Sequence, residues 1–186
     1  MGNLTFRPTP LAGLLEVECP EASDERGRFS RLYDERTFAS QLPGFRVAQA
    51  NISTTLGRGT LRGLHYQGRP ASDAKVVRCI AGRVFDVAVD LRRDSPTLMQ
   101  WHAVELAHDR PQALLIPAGF AHGFQVLSDA ATLVYLHGAP WTPDCEGGVR
   151  HDDPRLGIAW PLPPARLSAR DLALPLLDRE FAGIDP

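Results

Sequence analysis

Cysteine is scarce and scattered. The chain has three, Cys19, Cys79 and Cys145, with no C-x-x-C pair among them. An odd number at such separations argues against a disulfide framework or a zinc knuckle and points to a reducing compartment, the cytoplasm. Long apolar runs are missing as well: no stretch reaches the length needed to span a bilayer. The opening MGNLTFRPTPLAG contains no apolar core of a signal peptide, and Phe6 stands where a myristoylation signal wants Ser or Thr. An excess of one charge is absent too, since 20 Lys and Arg meet 22 Asp and Glu for a net charge of -2. That balance speaks against nucleic acid or a membrane surface as partner, and leaves room for a local basic cluster that binds a small anion. At 186 residues, 44% hydrophobic and 23% charged, the chain suits one soluble domain over residues 1–186 with its own core.

What is abundant is punctuation. Glycine and proline number 16 each and recur at short intervals. Between them lie short runs rich in apolar and β-branched residues: Lys75–Ile80, Arg83–Leu91, Trp101–Leu106, Ala113–Ile116, Gly123–Leu127 and Thr132–Leu136. Several end in a turn signal such as Ala81-Gly82 or Asp109-Arg110-Pro111, a rhythm that predicts an antiparallel β-sandwich or barrel. Helix is sparse. Asp34–Gln41 reads as one short helix capped by Asp34, and Ala165–Leu177 is a mixed segment in which Ser168 and Asp171 offer caps for a single turn. The Pro-rich passage Trp160–Pro164 reads as a rigid turn, not a domain boundary.

Reactive side chains concentrate in two segments, Gly59–Lys75 (GTLRGLHYQGRPASDAK) and Pro117–Gly123 (PAGFAHG). Their spacing resembles the two cupin motifs, which implies an all-β, cupin-type jelly roll. Gly59 is followed after five residues by His65, Lys75 after six by Gly82, and Pro117, Gly119 and His122 fit P-x-G-x-x-H. The metal ligands of that pattern are depleted. Gln67 replaces the second histidine and Lys75 replaces the glutamate, and an ammonium has no lone pair to offer a cation. The cavity is therefore read as metal-free. The bland reading of a lone histidine is structural, and His102, His108, His137 and His151 receive it. For His65 the odds reverse, because Arg62, His65, Tyr66, Gln67 and Lys75 crowd two adjacent strands that otherwise read as core.

A longer series of motifs follows one order along nearly the whole chain: DERGRF at Asp24–Phe29, QANIS at Gln49–Ser53, LRGLHYQ at Leu61–Gln67, GRVFDVAVDLRRDSPT at Gly82–Thr97, IPAGFAHGF at Ile116–Phe124, VYL at Val134–Leu136 and LSARD at Leu167–Asp171. In this the sequence resembles the dTDP-4-dehydrorhamnose 3,5-epimerases. The resemblance implies inversion of C3 and C5 of a dTDP-4-keto-6-deoxyhexose, without a cofactor, in deoxysugar biosynthesis such as that of dTDP-L-rhamnose. It implies His65 as the base, Asp171 as the acid group that orients it, Tyr135 as the proton donor and Lys75 as the stabiliser of the enolate. It also implies Arg26, Phe29, Gln49, Asn51, Arg62, His122, Glu146 and Arg170 as substrate-binding residues. Trp141 stands where relatives stack an aromatic ring on the base, with a core or interface anchor as the alternative. The family forms homodimers in which N-terminal strands cross to the partner, which would bring Arg26 to the neighbour's site. Three alternatives stay open: an epimerase acting at C3 or C5 alone, a metal-dependent cupin oxygenase or isomerase, and a non-catalytic sugar-binding cupin.

Overall fold

Alternating polar and apolar residues, broken every few positions by Gly, Pro or Asp, fold into short antiparallel strands. The computed structural model describes residues 2–186. Its first half holds β1 (Thr5–Pro8), β2 (Leu15–Glu18), β3 (Glu21–Asp24), β4 (Gly27–Ser30), the helix α1 (Glu35–Gln41), β5 (Gln49–Leu56), β6 (Leu61–Gln67), β7 (Lys75–Ala81) and β8 (Arg83–Asp90). There follow β9 (Trp101–Ala107), β10 (Gln112–Ile116), β11 (Phe120–Val126), β12 (Ala130–His137), β13 (Glu146–Gly148) and one helical turn, α2 (Ala169–Leu172).

Two sheets face each other. Six strands run in the order β1-β2-β10-β7-β12-β5, and five in the order β13-β6-β11-β8-β9. The hairpin β3-β4 stands apart as a two-stranded ribbon. This is the cupin-type jelly-roll sandwich implied by the Gly59 and Pro117 motifs. Val77 and Cys79 of β7, Leu114 and Ile116 of β10, Val84 and Ala88 of β8, and Phe120 and Phe124 of β11 meet in the central core. Each sheet is also covered on its outer face. Phe38 of α1, with Phe45, Val17 and Leu115, seals the six-stranded sheet. Trp160, Leu177 and Phe181 of the C-terminal segment cover Val87 and Val89 of the other, together with Leu91 just past β8. Complete burial of a ring such as Phe38 contributes about 1.5–3 kcal/mol.

Several expectations shift at their edges. The strand expected at Gly123–Leu127 begins three residues earlier, at Phe120, and so takes in His122. The strand carrying Phe29, β4, ends at Ser30. Asp34 caps α1 by accepting from the Thr37 N–H at 2.9 Å. In α2 the cap is Ser168 alone, whose hydroxyl accepts from the Asp171 N–H at 3.0 Å, while the Asp171 carboxylate turns elsewhere. No helix among the described residues is long and apolar enough to cross a membrane.

Candidate active site

The six-stranded sheet changes character along its inner face. Cross-strand partners run from Leu133 and Cys79, through Tyr135 beside Asn51 and Val77, to His137 beside Gln49 and Lys75. Residues two apart on neighbouring strands share one face, so the apolar core grades into a polar row at one end of the sandwich. There a cavity of about 270 Å³ opens, lined on this wall by Asn51, Lys75, Tyr135 and His137. The opposite wall is the five-stranded sheet, which contributes Arg62, His65, His122 and Glu146. A recess lined by Gln49 and Trp141 adjoins it and shares Asn51, His65, Lys75, His137 and Glu146.

Arg62 and His65 lie three residues apart on β6, so strict alternation would send them to opposite faces. The pairing of β6 with β11 slips between His122 and Phe124, and that irregularity turns both side chains inward. Two glycines permit it. A Cβ on Gly63 would stand 2.6 Å from the Gly123 Cα, and a Cβ on Gly123 would stand 2.7 Å from the Arg62 carbonyl oxygen. Gly63 also adopts φ +115, a conformation that side chains rarely accept. With both glycines in place, His65 pairs directly with His122 across the strands.

Three carboxylates reach into the polar end of the sandwich, and each holds an imidazole. Asp171 Oδ1 lies 2.7 Å from His65 Nε2. Burial raises the Asp171 carboxyl, but the bonds and charge of His65, with help from the Gly63 N–H and Ser168, outweigh it and leave the pKa below the ordinary value. Asp86 Oδ1 lies 2.9 Å from His122 Nε2, and Asp86 is completely buried inside the core. Asp73 Oδ2 lies 2.7 Å from His137 Nδ1 and 3.2 Å from Lys75 Nζ.

Tyr135 sits among these groups. Its ring meets His122 edge-on at 5.9 Å between centroids and stacks on His137 at 5.7 Å. Burial pushes its hydroxyl pKa well above the ordinary value; the Asp86 charge pushes the same way and Arg62 opposes. The hydroxyl is thus a neutral donor across the physiological range.

No three His, Cys, Asp or Glu side chains among the described residues are arranged to hold a metal ion. Gln67, at the position of a cupin ligand, is spent on the backbone: its amide donates to the Pro140 carbonyl at 3.0 Å and accepts from the Thr142 N–H at 2.8 Å. That clamp fixes the loop carrying Trp141. The Trp141 N–H donates to Gln49 Oε1 at 3.0 Å, and its ring is 60% exposed, which excludes a role as core anchor within the chain.

Comparison with known proteins agrees with the motif order. Residues 8–179 match the family model described as dTDP-4-dehydrorhamnose 3,5-epimerase. The dTDP-4-dehydrorhamnose 3,5-epimerase of Salmonella typhimurium is 42% identical, over 92% of this chain and 94% of that protein. The dTDP-4-dehydrorhamnose 3-epimerase of Streptomyces niveus is 40% identical, over 98% of this chain and 89% of that one. The chain belongs to the dTDP-4-dehydrorhamnose 3,5-epimerase family. A member solved from Legionella pneumophila, a dTDP-6-deoxy-D-glucose-3,5-epimerase in complex with dTDP-4-keto-L-rhamnose, superimposes with TM-score 0.91 at 36% identity, over 99% of this chain and 100% of that one.

Within this member of the epimerase family, the cavity and its recess gather His65, Lys75, Tyr135, Gln49, Asn51, Arg62, His122, Trp141 and Glu146. Asp171 stands directly behind His65, and Arg170 reaches the rim, donating to Glu146 at 2.6 Å. Arg26 and Phe29 are not brought to the cavity of their own chain. They lie on the β3-β4 hairpin, where Arg26 pairs with Asp24 and Phe29 is 68% exposed. The crowding expected on two adjacent strands also has a different geometry: β6 and β7 belong to opposite sheets, and their side chains meet across the cavity. His137, read as structural, lines the cavity instead. Asp73 and Asp86 went unnoticed as histidine partners because the imidazoles they hold lie 64 and 36 residues away in sequence.

Proposed function

We propose that the protein inverts C3 and C5 of a dTDP-4-keto-6-deoxyhexose by proton transfer through an enolate, as an isomerase of deoxysugar biosynthesis. The observation that carries this reading is the entry of His65 and Tyr135 from opposite sheets into one cavity, with Lys75 beside Tyr135 on the neighbouring strand. Both reacting carbons flank a carbonyl, so epimerisation needs a base on one face, an acid on the other and a cation at the oxygen. His65, oriented by Asp171, takes the proton; Tyr135 returns one to the far face; the Lys75 ammonium stabilises the enolate oxygen. Arg62 and the rim pair Glu146 and Arg170, with Gln49, Asn51, His122 and the exposed ring of Trp141, bind the nucleotide sugar.

The substrate class rests on the Legionella relative, whose bound molecule is dTDP-4-keto-L-rhamnose. The Streptomyces niveus relative, named for a 3-epimerase activity, supports a second reading in which C3 alone is inverted. Incubation with dTDP-4-keto-6-deoxyglucose in deuterated water, followed by proton NMR, separates them. Loss of both the C3 and C5 signals supports the 3,5-epimerase, loss of C3 alone the monoepimerase, and no loss counts against both.

The exposed β3-β4 hairpin supports a further element of the reading, a homodimer in which Arg26 and Phe29 complete the partner's site. An unpaired ribbon carrying a bare phenylalanine is a surface that a second copy covers well.

A further inference from the structure

Of the 20 lysine and arginine residues in the sequence, one is lysine, and it is Lys75. It is also among the most enclosed cations of the chain, at 7% exposure. A buried ammonium needs a counter-charge, and among the described residues it has one ion-pair partner, Asp73, two residues before it. The two oxygens of Asp73 divide their work. Oδ1 accepts from the backbone N–H groups of Gly138 at 3.1 Å and Ala139 at 3.2 Å, tying the 70s loop to the end of β12. Oδ2 holds Lys75 Nζ and His137 Nδ1 together.

We propose that Asp73 and His137 are positioning residues for Lys75: His137 and the backbone fix the Asp73 carboxylate, and its Oδ2 holds the ammonium in place at the cavity wall. This inference rests on the role given to Lys75 under the proposed function and adds a device to it. The same contact orients His137, whose ring lies parallel to Tyr135 at an interplanar angle of 12°, so one carboxylate sets both cation and acid on this wall. Burial of Asp73 raises its carboxyl, but His137 and Lys75 together bring it below the ordinary value, so it stays ionised at neutral pH. The other titratable groups facing Lys75 do not replace it. From the opposite sheet come His65, Tyr66, Arg62, His122 and Glu146, of which Glu146 is already paired with Arg170; from β12 comes the neutral hydroxyl of Tyr135.

Asp73→Asn separates the two jobs, because the amide oxygen keeps the backbone bonds of Oδ1 while its NH2 meets the Lys75 ammonium donor to donor. With 15N-lysine incorporated, the chain carries a single side-chain ammonium, read without substrate. The wild type is expected to show an NζH3 cross-peak protected by the Asp73 contact, and folded Asp73→Asn to lose it. In kinetics, kcat of Asp73→Asn is expected to fall about tenfold or more with KM changed less than about threefold, as for an interaction made in the transition state. His137→Phe, which keeps a ring against Tyr135 and removes the Nδ1 donor, should lower kcat to a smaller extent. An unchanged cross-peak in folded Asp73→Asn overturns the assignment, as does a lost cross-peak with wild-type kcat and KM. His137→Phe indistinguishable from wild type removes His137 from the device. A wild type inactive on the 4-keto sugar counts against the proposed reaction, while the cross-peak still decides the role of Asp73.

Discussion

Asp171 Oδ1 lies 2.7 Å from His65 Nε2, a contact that joins β6 to the single turn α2 across 106 residues of sequence. With the ring proton on Nε2 facing the carboxylate, the Nδ1 lone pair has no hydrogen-bond partner among the described residues. A histidine held in this tautomer is a base, and its conjugate acid is stabilised by the same carboxylate. Asp171→Asn should therefore lower kcat by roughly 10- to 100-fold without abolishing turnover, because the imidazole remains while its orientation and charge support weaken. Steady-state rates of the purified variant check this; a rate equal to wild type would detach Asp171 from the chemistry.

Tyr135→Phe should split the reaction. Proton removal by His65 is untouched, so solvent exchange continues, while net inversion at C5 fails for want of a donor on the opposite face. The raised hydroxyl pKa also implies that Tyr135 gives no basic limb to the wild-type rate profile below about pH 10, the ordinary phenol value. Exchange measured by NMR beside product configuration tests both halves; loss of exchange in Tyr135→Phe would make tyrosine part of the abstraction step.

Away from the cavity, Asp90 closes β8 with an unusually complete set of bonds. It accepts from the Arg92 side chain at 2.9 and 2.7 Å, from the Arg92 N–H at 3.0 Å and from Thr97 at 2.7 Å, and Ser95 donates to it as well. Burial raises its carboxyl, yet these donors win and hold the pKa below the ordinary value. A carboxyl lowered in the folded state stabilises the protein above its unfolded pKa, near 3.8, and loses that contribution as pH falls through the folded value. Asp90→Asn should cost about 3 kcal/mol at pH 7, a fall of roughly 6–12 °C in Tm, and the gap should narrow at pH 3. Thermal melts at the two pH values measure it; a gap that widens in acid contradicts the sign.

How much of this was legible in sequence follows from range. The alternation in Arg83–Leu91 and Trp101–Leu106 marked strands because each residue's face depends on its immediate neighbours. The cap at Asp34 was readable for the same reason, with its acceptor three residues from the donor. The motif resemblance brought out His65, Lys75, Tyr135 and Asp171, although their placement on two facing sheets depends on strand order that no local pattern carries. His137 looked like a strand-end histidine. Only the pairing that sets it opposite both Lys75 and Gln49 makes it a cavity residue. The inward turn of Arg62 was hidden as well, since it needs Gly63 and Gly123 to approach from strands separated by 60 residues.

The hairpin makes a prediction about assembly. If Arg26 acts in the partner's site, Arg26→Ala and His65→Ala chains, each inactive alone, should regain activity when their subunits are exchanged. Each heterodimer then contains one intact site, so recovery should approach a quarter of wild-type activity for an equal mixture. Sedimentation establishes the dimer independently. Mixing that restores nothing, with heterodimers demonstrated, confines Arg26 to its own chain.

The central claim is that His65 removes the protons next to the carbonyl, and solvent isotope exchange reads that step without waiting for inversion. Wild-type protein and His65→Asn are each incubated with dTDP-4-keto-6-deoxyglucose in deuterated water, and deuterium at C3 and C5 is followed by NMR. The account predicts incorporation at both carbons with the wild type and a loss of about 100- to 10,000-fold in its rate with His65→Asn. Incorporation by a folded His65→Asn at the wild-type rate would contradict it.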